Sequence, residues 1–259
     1  MNLQSLTYQI DGNIGIITLN RPEDYNVLGL NLLEELNWLI KKINADPSVI
    51  VAILTGAEKT FSAGADLKGL IALTQEEKLQ FNRKIIETFN LIEKSPIPFI
   101  AAINGHMFGG GMEMALSCSI RMISSEARIG LPEVKLGILP GAGGTQRLPR
   151  LIGRSKALQL LLTGDTMTAQ EALEYGIVDQ VVPLSELHET SMALAKRIAQ
   201  NAPLAVKAIK DSVTVGIELT VEQGISYTER HLDVLSRSND SVEGIQAFLE
   251  KRKPNFTGS

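Results

Sequence analysis

Two stretches decide the fold: N-G-H-M-F-G-G-G-M-E-M-A-L-S-C at residues 104–118 and L-P-E-V-K-L-G-I-L-P-G-A-G-G-T-Q-R at residues 131–147. Three consecutive glycines, Gly109 to Gly111, follow the strand-like apolar run 98–103 and precede a helix-like segment that opens at Met112. Glycine permits positive φ and lets bare backbone N–H groups approach a ligand. A helix start adds unpaired donors and the positive end of the helix dipole. We therefore expect this segment to stabilise negative charge on a ligand.

Glu113 and Glu133 are the candidate catalytic residues of these stretches. Glu113 is predicted in the first helical turn and Glu133 follows Pro132 on the returning loop, so the two side chains could face one cavity. A glutamate on a surface helix is usually just solvated, but the neighbours of Glu113 are apolar. A buried ionised carboxylate needs partners or a proton. A second acid nearby could share that proton.

The overall composition is that of an ordinary globular protein. The chain has 259 residues, of which 44% are hydrophobic and 21% charged, and this is ample for a large core. A formal net charge of −4 argues against non-specific binding to nucleic acid, so no nucleic-acid partner is expected. An anionic ligand would need a local basic patch.

The number of cysteines, the spacing of the histidines and the length of the apolar runs exclude several classes of protein. The single cysteine, Cys118, excludes an internal disulfide and is predicted to be a core thiol in a reducing compartment. No metal site is expected, because His106, His188 and His231 lack the spacing of metal ligands. No apolar run reaches about 18 residues and the N-terminus lacks a signal or transit pattern, so we expect a cytoplasmic protein without a membrane partner.

The first part of the chain alternates strands and helices. Strands are predicted where apolar residues alternate or run continuously, and helices where they recur every three or four positions. The predicted strands cover residues 6–10 and 14–19 as a hairpin, 49–54, 99–103 and 120–124. The predicted helices cover residues 28–43 and 75–92, followed by the helix that carries Glu113. This repeat predicts an α/β fold.

From Ser155 onward the pattern is mainly helical. Thr168-Ala169-Gln170-Glu171 is a capping box that opens a helix, and Gly176 closes it. The other predicted elements are helices at 155–162, 185–200, 203–215, 220–235 and 241–251 and a short strand at 177–182. Apolar residues on more than one face of the helix at 220–235 predict a subunit contact. We expect an α/β core at residues 1–195 and a helical region for oligomerisation at 196–259.

The chain resembles the enoyl-CoA hydratase/isomerase (crotonase) family over nearly its full length. The resemblance is carried by Arg21-Pro22 with Asn26, F-S-A-G-A-D-L-K at 61–68, A-A-I-N-G at 101–105, G-G-G-M-E at 109–113, Pro132-Glu133, P-G-A-G-G-T at 140–145 and Lys251-Arg252. Several motifs in the right order make it specific. It implies a spiral of repeated ββα units followed by helices that build a homotrimer, with two trimers commonly forming a homohexamer.

The resemblance also implies a reaction and a site. The substrate would be an acyl-CoA thioester, with coenzyme A as part of the substrate and no separate cofactor. The oxyanion hole would consist of the backbone N–H groups of Ala65 and Gly110. The glutamates at 113 and 133 would hold one water between them, and the presence of both favours reversible hydration of a 2-enoyl-CoA. Relatives that isomerise, dehalogenate or decarboxylate often lack one of them.

The resemblance implies further contacts for the substrate and its coenzyme A. Lys68 is the better candidate for the nucleotide end, while Asp66 is expected to cap a helix or brace the loop. At Glu23-Asp24 the chain departs from the family, whose members often carry a basic residue there. Lys251 begins the only dense basic run and is expected to reach a neighbouring subunit's site. The implied binding residues are Ala63, Ala65, Asp66, Leu67, Lys68, Gly110, Gly141 and Lys251.

Alternatives of other classes stay open. Other crotonase-family chemistry, such as a double-bond isomerase or a methylglutaconyl-CoA-type hydratase, would use the same fold. A catalytically silent CoA-binding protein would keep the glycines without needing both acids. A peptidase of the related spiral fold would need a serine with its histidine, and Ser117 has no obvious histidine partner. Acyl-chain preference, pathway and direction stay open, because non-contiguous apolar residues form the tail pocket.

Overall fold

The computed structural model describes all 259 residues as two sheets surrounded by helices. The strands are β1 Leu6–Asp11, β2 Ile14–Leu19, β3 Val51–Gly56, β4 Thr60–Ser62, β5 Phe99–Ile103, β6 His106–Phe108, β7 Ile120–Ser124, β8 Arg128–Gly130, β9 Thr166–Thr168 and β10 Gln180–Val182. The helices are α1 Leu30–Ala45, α2 Leu67–Ala72, α3 Gln75–Glu93, α4 Gly110–Leu116, α5 Gly144–Ile152, α6 Arg154–Thr163, α7 Ala169–Tyr175, α8 Leu184–Ala199, α9 Pro203–Gly216, α10 Val221–Leu235 and α11 Asn239–Leu249. Two short 3-10 helices cover Pro22–Asp24 and Pro132–Leu136.

Three successive strand pairs build the spiral. Each pair, β3–β4, β5–β6 and β7–β8, sends its first strand to a six-stranded sheet of order β1-β2-β3-β5-β7-β10. The second strand of each pair joins a four-stranded sheet of order β4-β6-β8-β9. Helices follow each pair along the chain. The expected α/β spiral of repeated units with C-terminal helices is confirmed.

The six-stranded sheet is parallel except at its first hairpin. Strand β1 pairs antiparallel with β2, whereas β2, β3, β5, β7 and β10 run parallel. Residues 51–54 of β3 are buried, as a parallel strand between two layers should be. The predicted hairpin and the predicted buried strand are therefore confirmed. The buried strand begins and ends two residues further along the chain than predicted.

Several short elements are absent from the sequence-based assignment. Strands β4, β6, β8 and β9 have three residues each, too few to show a period-2 pattern, and pair only with segments distant in sequence. Helix α5 lies where only a glycine loop was expected, because Gly143, Gly144 and the internal Pro149 conceal its pattern. Strand β10 begins at Gln180, three residues later than predicted, where its pairing with β7 begins.

The C-terminal helices differ in how they meet the core. Helix α8 packs across β2, β3, β5 and β7, and the expected boundary at 195/196 falls inside it. Helix α9 packs against α10, in which no residue is buried. The division into two parts stays a prediction. None of the helices combines the length and apolar composition needed to cross a lipid bilayer.

Candidate active site

A cavity of about 880 Å³ brings most of the predicted site residues together. It lies between α3, the loop before α2 and the segment 132–142. Thirteen of its 22 lining residues are hydrophobic, and such a wall with a few polar groups is typical of a small-molecule site. The predicted residues that line it are Ala63, Ala65, Leu67, Gly110, Glu113, Glu133 and Gly141.

Gly109 joins β6 to α4 in a conformation that favours glycine. Its φ of 50° and ψ of −127° lie outside the regions that other residues adopt readily. Its N–H donates to the Gly130 carbonyl at 3.0 Å. A Cβ atom at this position would lie 3.1 Å from Glu133 Oε1. The glycine therefore lets α4 begin directly beside the carboxyl group of Glu133.

The backbone N–H groups of Ala65 and Gly110 lie near each other in the cavity wall. A parallel bridge between Leu28 and Ala65 uses the Gly64 carbonyl and the Asp66 N–H, which turns the Ala65 N–H away from Leu28. Gly110 is the first residue of α4, so its N–H has no acceptor within the helix. Neither N–H donates a hydrogen bond in the loops and helix ends.

The space between these two amides is narrow. A Cβ added to Gly110 would lie 3.7 Å from the Ala65 nitrogen, 3.1 Å from Leu28 Cδ1 and 3.4 Å from Ile85 Cδ1. The sequence offered no signal for Leu28 and Ile85, because they come from separate segments that meet only in the folded chain. The two N–H groups therefore lie close together in the cavity wall.

Glu113 is buried in the first turn of α4, with only 3% of its surface exposed. Its Oε1 accepts a hydrogen bond from the Gly144 N–H at 2.7 Å. Burial raises the pKa of Glu113 to about 7, and the nearby Glu133 adds to the rise. The Gly144 hydrogen bond and the charge of Arg147 oppose that rise. A carboxyl group with a pKa near neutrality can both accept and give a proton.

Glu133 lies in the short 3-10 helix after β8 and is also buried. Its Oε2 has no hydrogen-bond partner within the protein. Burial raises the pKa of this carboxyl group as well. Because buried polar atoms are almost always hydrogen-bonded, an unpaired oxygen in a cavity wall is available to a ligand.

Three predicted binding residues do not line the cavity. Asp66 caps α2, its carboxylate accepting from the Gly69 N–H at 3.0 Å, so its expected capping role is confirmed. Lys68 is exposed in the first turn of α2. Lys251 is exposed just after α11. Contacts of these residues with a substrate stay predictions.

Glu23 and Asp24, where the resemblance implied a basic residue, pair with a basic neighbour. Arg21 forms ion pairs with Glu23, at 3.7 Å, and with Asp24. These acids therefore form ion pairs with the basic side chain beside them.

In the C-terminal basic run, the Arg252 guanidinium binds Glu243 at 2.7 Å and Glu250 at 2.6 Å, so Lys251 and Lys253 supply the free positive charge of that run.

Ser117 bears on the peptidase alternative, and Cys118 on the predicted core thiol. Ser117 is buried and its hydroxyl donates to the Met114 carbonyl at 2.6 Å, which argues against a peptidase nucleophile. Cys118 is buried, as expected of a core thiol, and burial raises its pKa to about 12.

Sequence reasoning missed the Gly144 amide as a partner of Glu113. The glycine pair at 143–144 was its only signal.

Comparison with known proteins identifies the family of this chain. The family model "Enoyl-CoA hydratase/isomerase" matches residues 9–259. A short-chain-enoyl-CoA hydratase of Clostridium acetobutylicum is 40% identical over 98% of this chain and 97% of its own. A mitochondrial enoyl-CoA hydratase of Pongo abelii is 38% identical over 95% of this chain and 84% of its own.

A solved structure extends the match to the whole fold. The enoyl-CoA hydratase of Bacillus anthracis superposes with a TM-score of 0.97 at 41% identity, covering 99% of this chain and all of the other. Such a match shows that the two chains share one fold over nearly their full length. The protein is therefore an enzyme of the enoyl-CoA hydratase/isomerase family, the crotonase family, to which this chain belongs.

Proposed function

We infer that the enzyme adds water reversibly across the 2,3 double bond of a 2-enoyl-CoA thioester. The observation that carries this proposal is that two buried glutamates, Glu113 and Glu133, line the same cavity. Two unpaired backbone N–H groups lie in the wall of the same cavity. Hydration needs a base and an acid, because water must lose one proton while the α-carbon gains another. It also needs donors for the negative charge that develops on the thioester oxygen.

The amide pair supports the first half of the mechanism. The thioester carbonyl would accept hydrogen bonds from the N–H groups of Ala65 and Gly110. As water adds to the β-carbon, negative charge develops on that oxygen in an enolate. Preorganised donors stabilise developing charge more in a cavity than in water, since they need no reorganisation.

The glutamate pair supports the second half. One carboxylate would take a proton from the water as its oxygen bonds to the β-carbon. The other, protonated, would deliver its proton to the α-carbon as the enolate collapses. Burial raises the pKa of both groups, and two neighbouring acids can share a single proton at neutral pH. The unpaired Oε2 of Glu133 is available to the water or the substrate.

The proposed activity is tested with crotonyl-CoA, whose ultraviolet absorbance falls when its double bond is hydrated. We expect a steady loss of absorbance and formation of the 3-hydroxyacyl product without added metal or cofactor. The described residues hold no group of His, Cys, Asp and Glu side chains suited to a metal ion, and metal independence stays a prediction. Movement of the double bond without uptake of water would favour an isomerase instead.

Lys251 is proposed to meet the phosphates of coenzyme A from a neighbouring subunit. We expect Lys251→Ala to raise the KM for crotonyl-CoA with little change in kcat. The effect should fade at high salt, because the screening length for exposed charges falls from about 8–10 Å at physiological salt to about 3 Å at 1 M. Initial rates at several salt concentrations measure it. A point substitution suits this test better than truncation, because the Thr257 and Gly258 N–H groups donate to the buried Asp240. An unchanged KM contradicts this role.

We propose a homotrimer, or a homohexamer of two trimers, built through α9 to α11. These helices expose apolar side chains that a monomer would leave in water: Ile209, Val213, Ile217, Val221, Ile225, Leu232, Val234, Val242, Ile245, Phe248 and Leu249. We expect light scattering to give three or six times the chain mass of 28.1 kDa. A fully active monomer would contradict the assembly.

A further inference from the structure

Arg147 is a largely buried arginine beside the catalytic cavity. It lines a neighbouring cavity that shares Ile86, Gly141 and Ala142 with the catalytic one, but it does not line the catalytic cavity itself. Its side chain is 10% exposed. The guanidinium forms a two-pronged pair with Glu93 of α3, at 3.0 Å from Nε and 2.8 Å from Nη2. Nη2 also donates to Asn90 Oδ1 at 2.8 Å, and Nη1 donates to the Ala142 carbonyl at 2.9 Å. One side chain thus links α3 to the loop before α5.

That loop is shaped around the guanidinium. Gly143 has a φ of +118°, and a Cβ atom there would lie 1.9 Å from Arg147 Nη1. No other residue would leave room for this close contact. The backbone N–H of Arg147 also donates to the Gly143 carbonyl at 2.7 Å. The next residue along, Gly144, donates its N–H to Glu113.

We propose that Arg147 is a positioning residue for Glu113: by tying the loop 141–144 to α3, it sets the place from which the Gly144 N–H holds the carboxyl group. This inference rests on the proposed role of Glu113 in hydration. The connection is short, because the carbonyl that Arg147 binds and the N–H that Glu113 accepts are only two residues apart. A shift of the loop moves both together.

The electrostatics agree with the geometry. The charged groups that bear on Glu113 are Glu133, from the 3-10 helix, and Arg147, from α5. Glu93 offsets part of the Arg147 charge, while Lys210 of α9 donates to the Glu93 backbone carbonyl at 2.7 Å on the same side. Burial raises the pKa of Glu113, and the backbone N–H groups of Gly144 and Ala142 together with the Arg147 charge limit the rise. Removing Arg147 abolishes its charge and loosens the loop that carries both N–H groups, so this pKa should rise further.

The test compares Arg147→Gln and Arg147→Lys with the unmodified enzyme. Lysine keeps the positive charge but cannot form the two-pronged pair with Glu93, and glutamine loses both the charge and the pair. We expect kcat for crotonyl-CoA at neutral pH to fall about tenfold or more in both variants, since small displacements of a catalytic group are costly. KM should change much less, because Arg147 does not line the cavity.

The pH profile separates positioning from simple support of the fold. Glu113 is taken as the ionised carboxylate of the pair, since its Oε1 accepts from the Gly144 N–H whereas Glu133 Oε2 has no partner. The reaction then slows below the pKa of Glu113, so a raised pKa moves the acidic limb to higher pH. We expect this shift in both variants, with the larger shift in Arg147→Gln. Asn90→Ala, which removes only one hydrogen bond from Arg147, should shift the limb less and in the same direction.

Arg121→Lys is the matched control. Arg121 is buried, donates to the Ile177 and Cys118 carbonyls at 2.8 and 2.7 Å, and lies outside the cavity. It should lose thermal stability without moving the acidic limb. An acidic limb that stays in place in the folded Arg147 and Asn90 variants would overturn the proposal.

A measurement that does not depend on turnover separates this inference from the proposed function. The carboxyl carbon of Glu113 can be followed by NMR in protein labelled with ¹³C at glutamate, with Glu113→Gln giving the assignment. We expect its titration midpoint to rise in Arg147→Gln. If the unmodified enzyme hydrates nothing, the proposed function fails, while the titration still decides the role of Arg147. An unchanged midpoint refutes it.

Discussion

Replacing either buried glutamate with glutamine should reduce crotonyl-CoA hydration by about 10² or more, within or above the range usual for acid–base catalysis. Glutamine keeps the size of the side chain and removes its ionisation. Glu113→Gln leaves an amide oxygen that can still accept from Gly144, so the fold around α4 should persist. Acyl-CoA binding should therefore survive in both variants, with the loss appearing in kcat.

Glu35→Gln is the matched control for this pair. Glu35 is also buried, but its carboxylate accepts from the Gln4 and Ser5 N–H groups, away from the cavity. Its replacement should lower stability and leave kcat nearly unchanged. Near-normal hydration by Glu113→Gln or Glu133→Gln would rule out the proposed acid–base pair. Equal losses in the control would trace the effect to folding.

Gly110→Val should reduce kcat by about 10² to 10³, the range seen when one oxyanion donor is lost. Its new Cβ would lie 3.1 Å from Leu28 Cδ1, and the two further methyl groups would crowd Leu28 and Ile85. The backbone of Gly110 must then move, which displaces its N–H from the thioester oxygen. Because the charge on that oxygen develops in the transition state, kcat should fall more than ground-state binding.

Gly110→Ala provides a gentler version of the same test. Its methyl group meets only the flexible ends of two side chains and lies 3.7 Å from the Ala65 nitrogen, so folding should survive while kcat falls by less. Gly216→Ala in α9 is the control, since no heavy atom lies within 4 Å of the added methyl. Full turnover by Gly110→Val would place the oxyanion site elsewhere.

Local sequence signals predicted the longer elements well. The capping box at Thr168 opens α7, and Gly176 ends it in the left-handed conformation, as expected. Pro203 stands at the first turn of α9. Each of these features depends on neighbours within a few residues, so a local pattern can reveal it. The same holds for the continuous apolar run of β3.

The candidate site was only partly predictable. The sequence pointed to Glu113, Glu133 and the glycine triplet, because acids among apolar residues and consecutive glycines are unusual local patterns. It gave no sign of Arg147 as a partner of Glu93, since 54 positions separate the two residues. The helix α5 that carries Arg147 was hidden by glycine and proline.

By itself, the sequence determined the alternation of strands and helices, the burial of Glu113 and the family resemblance, all of which follow from residue type and short-range spacing. Only the tertiary structure decided which groups meet. The three-residue strands form because distant partners satisfy their backbone hydrogen bonds. The Gly144 N–H reaches Glu113 because the fold returns the chain 31 residues later to the start of α4. Both depend on long-range contacts, which no short stretch of sequence encodes alone.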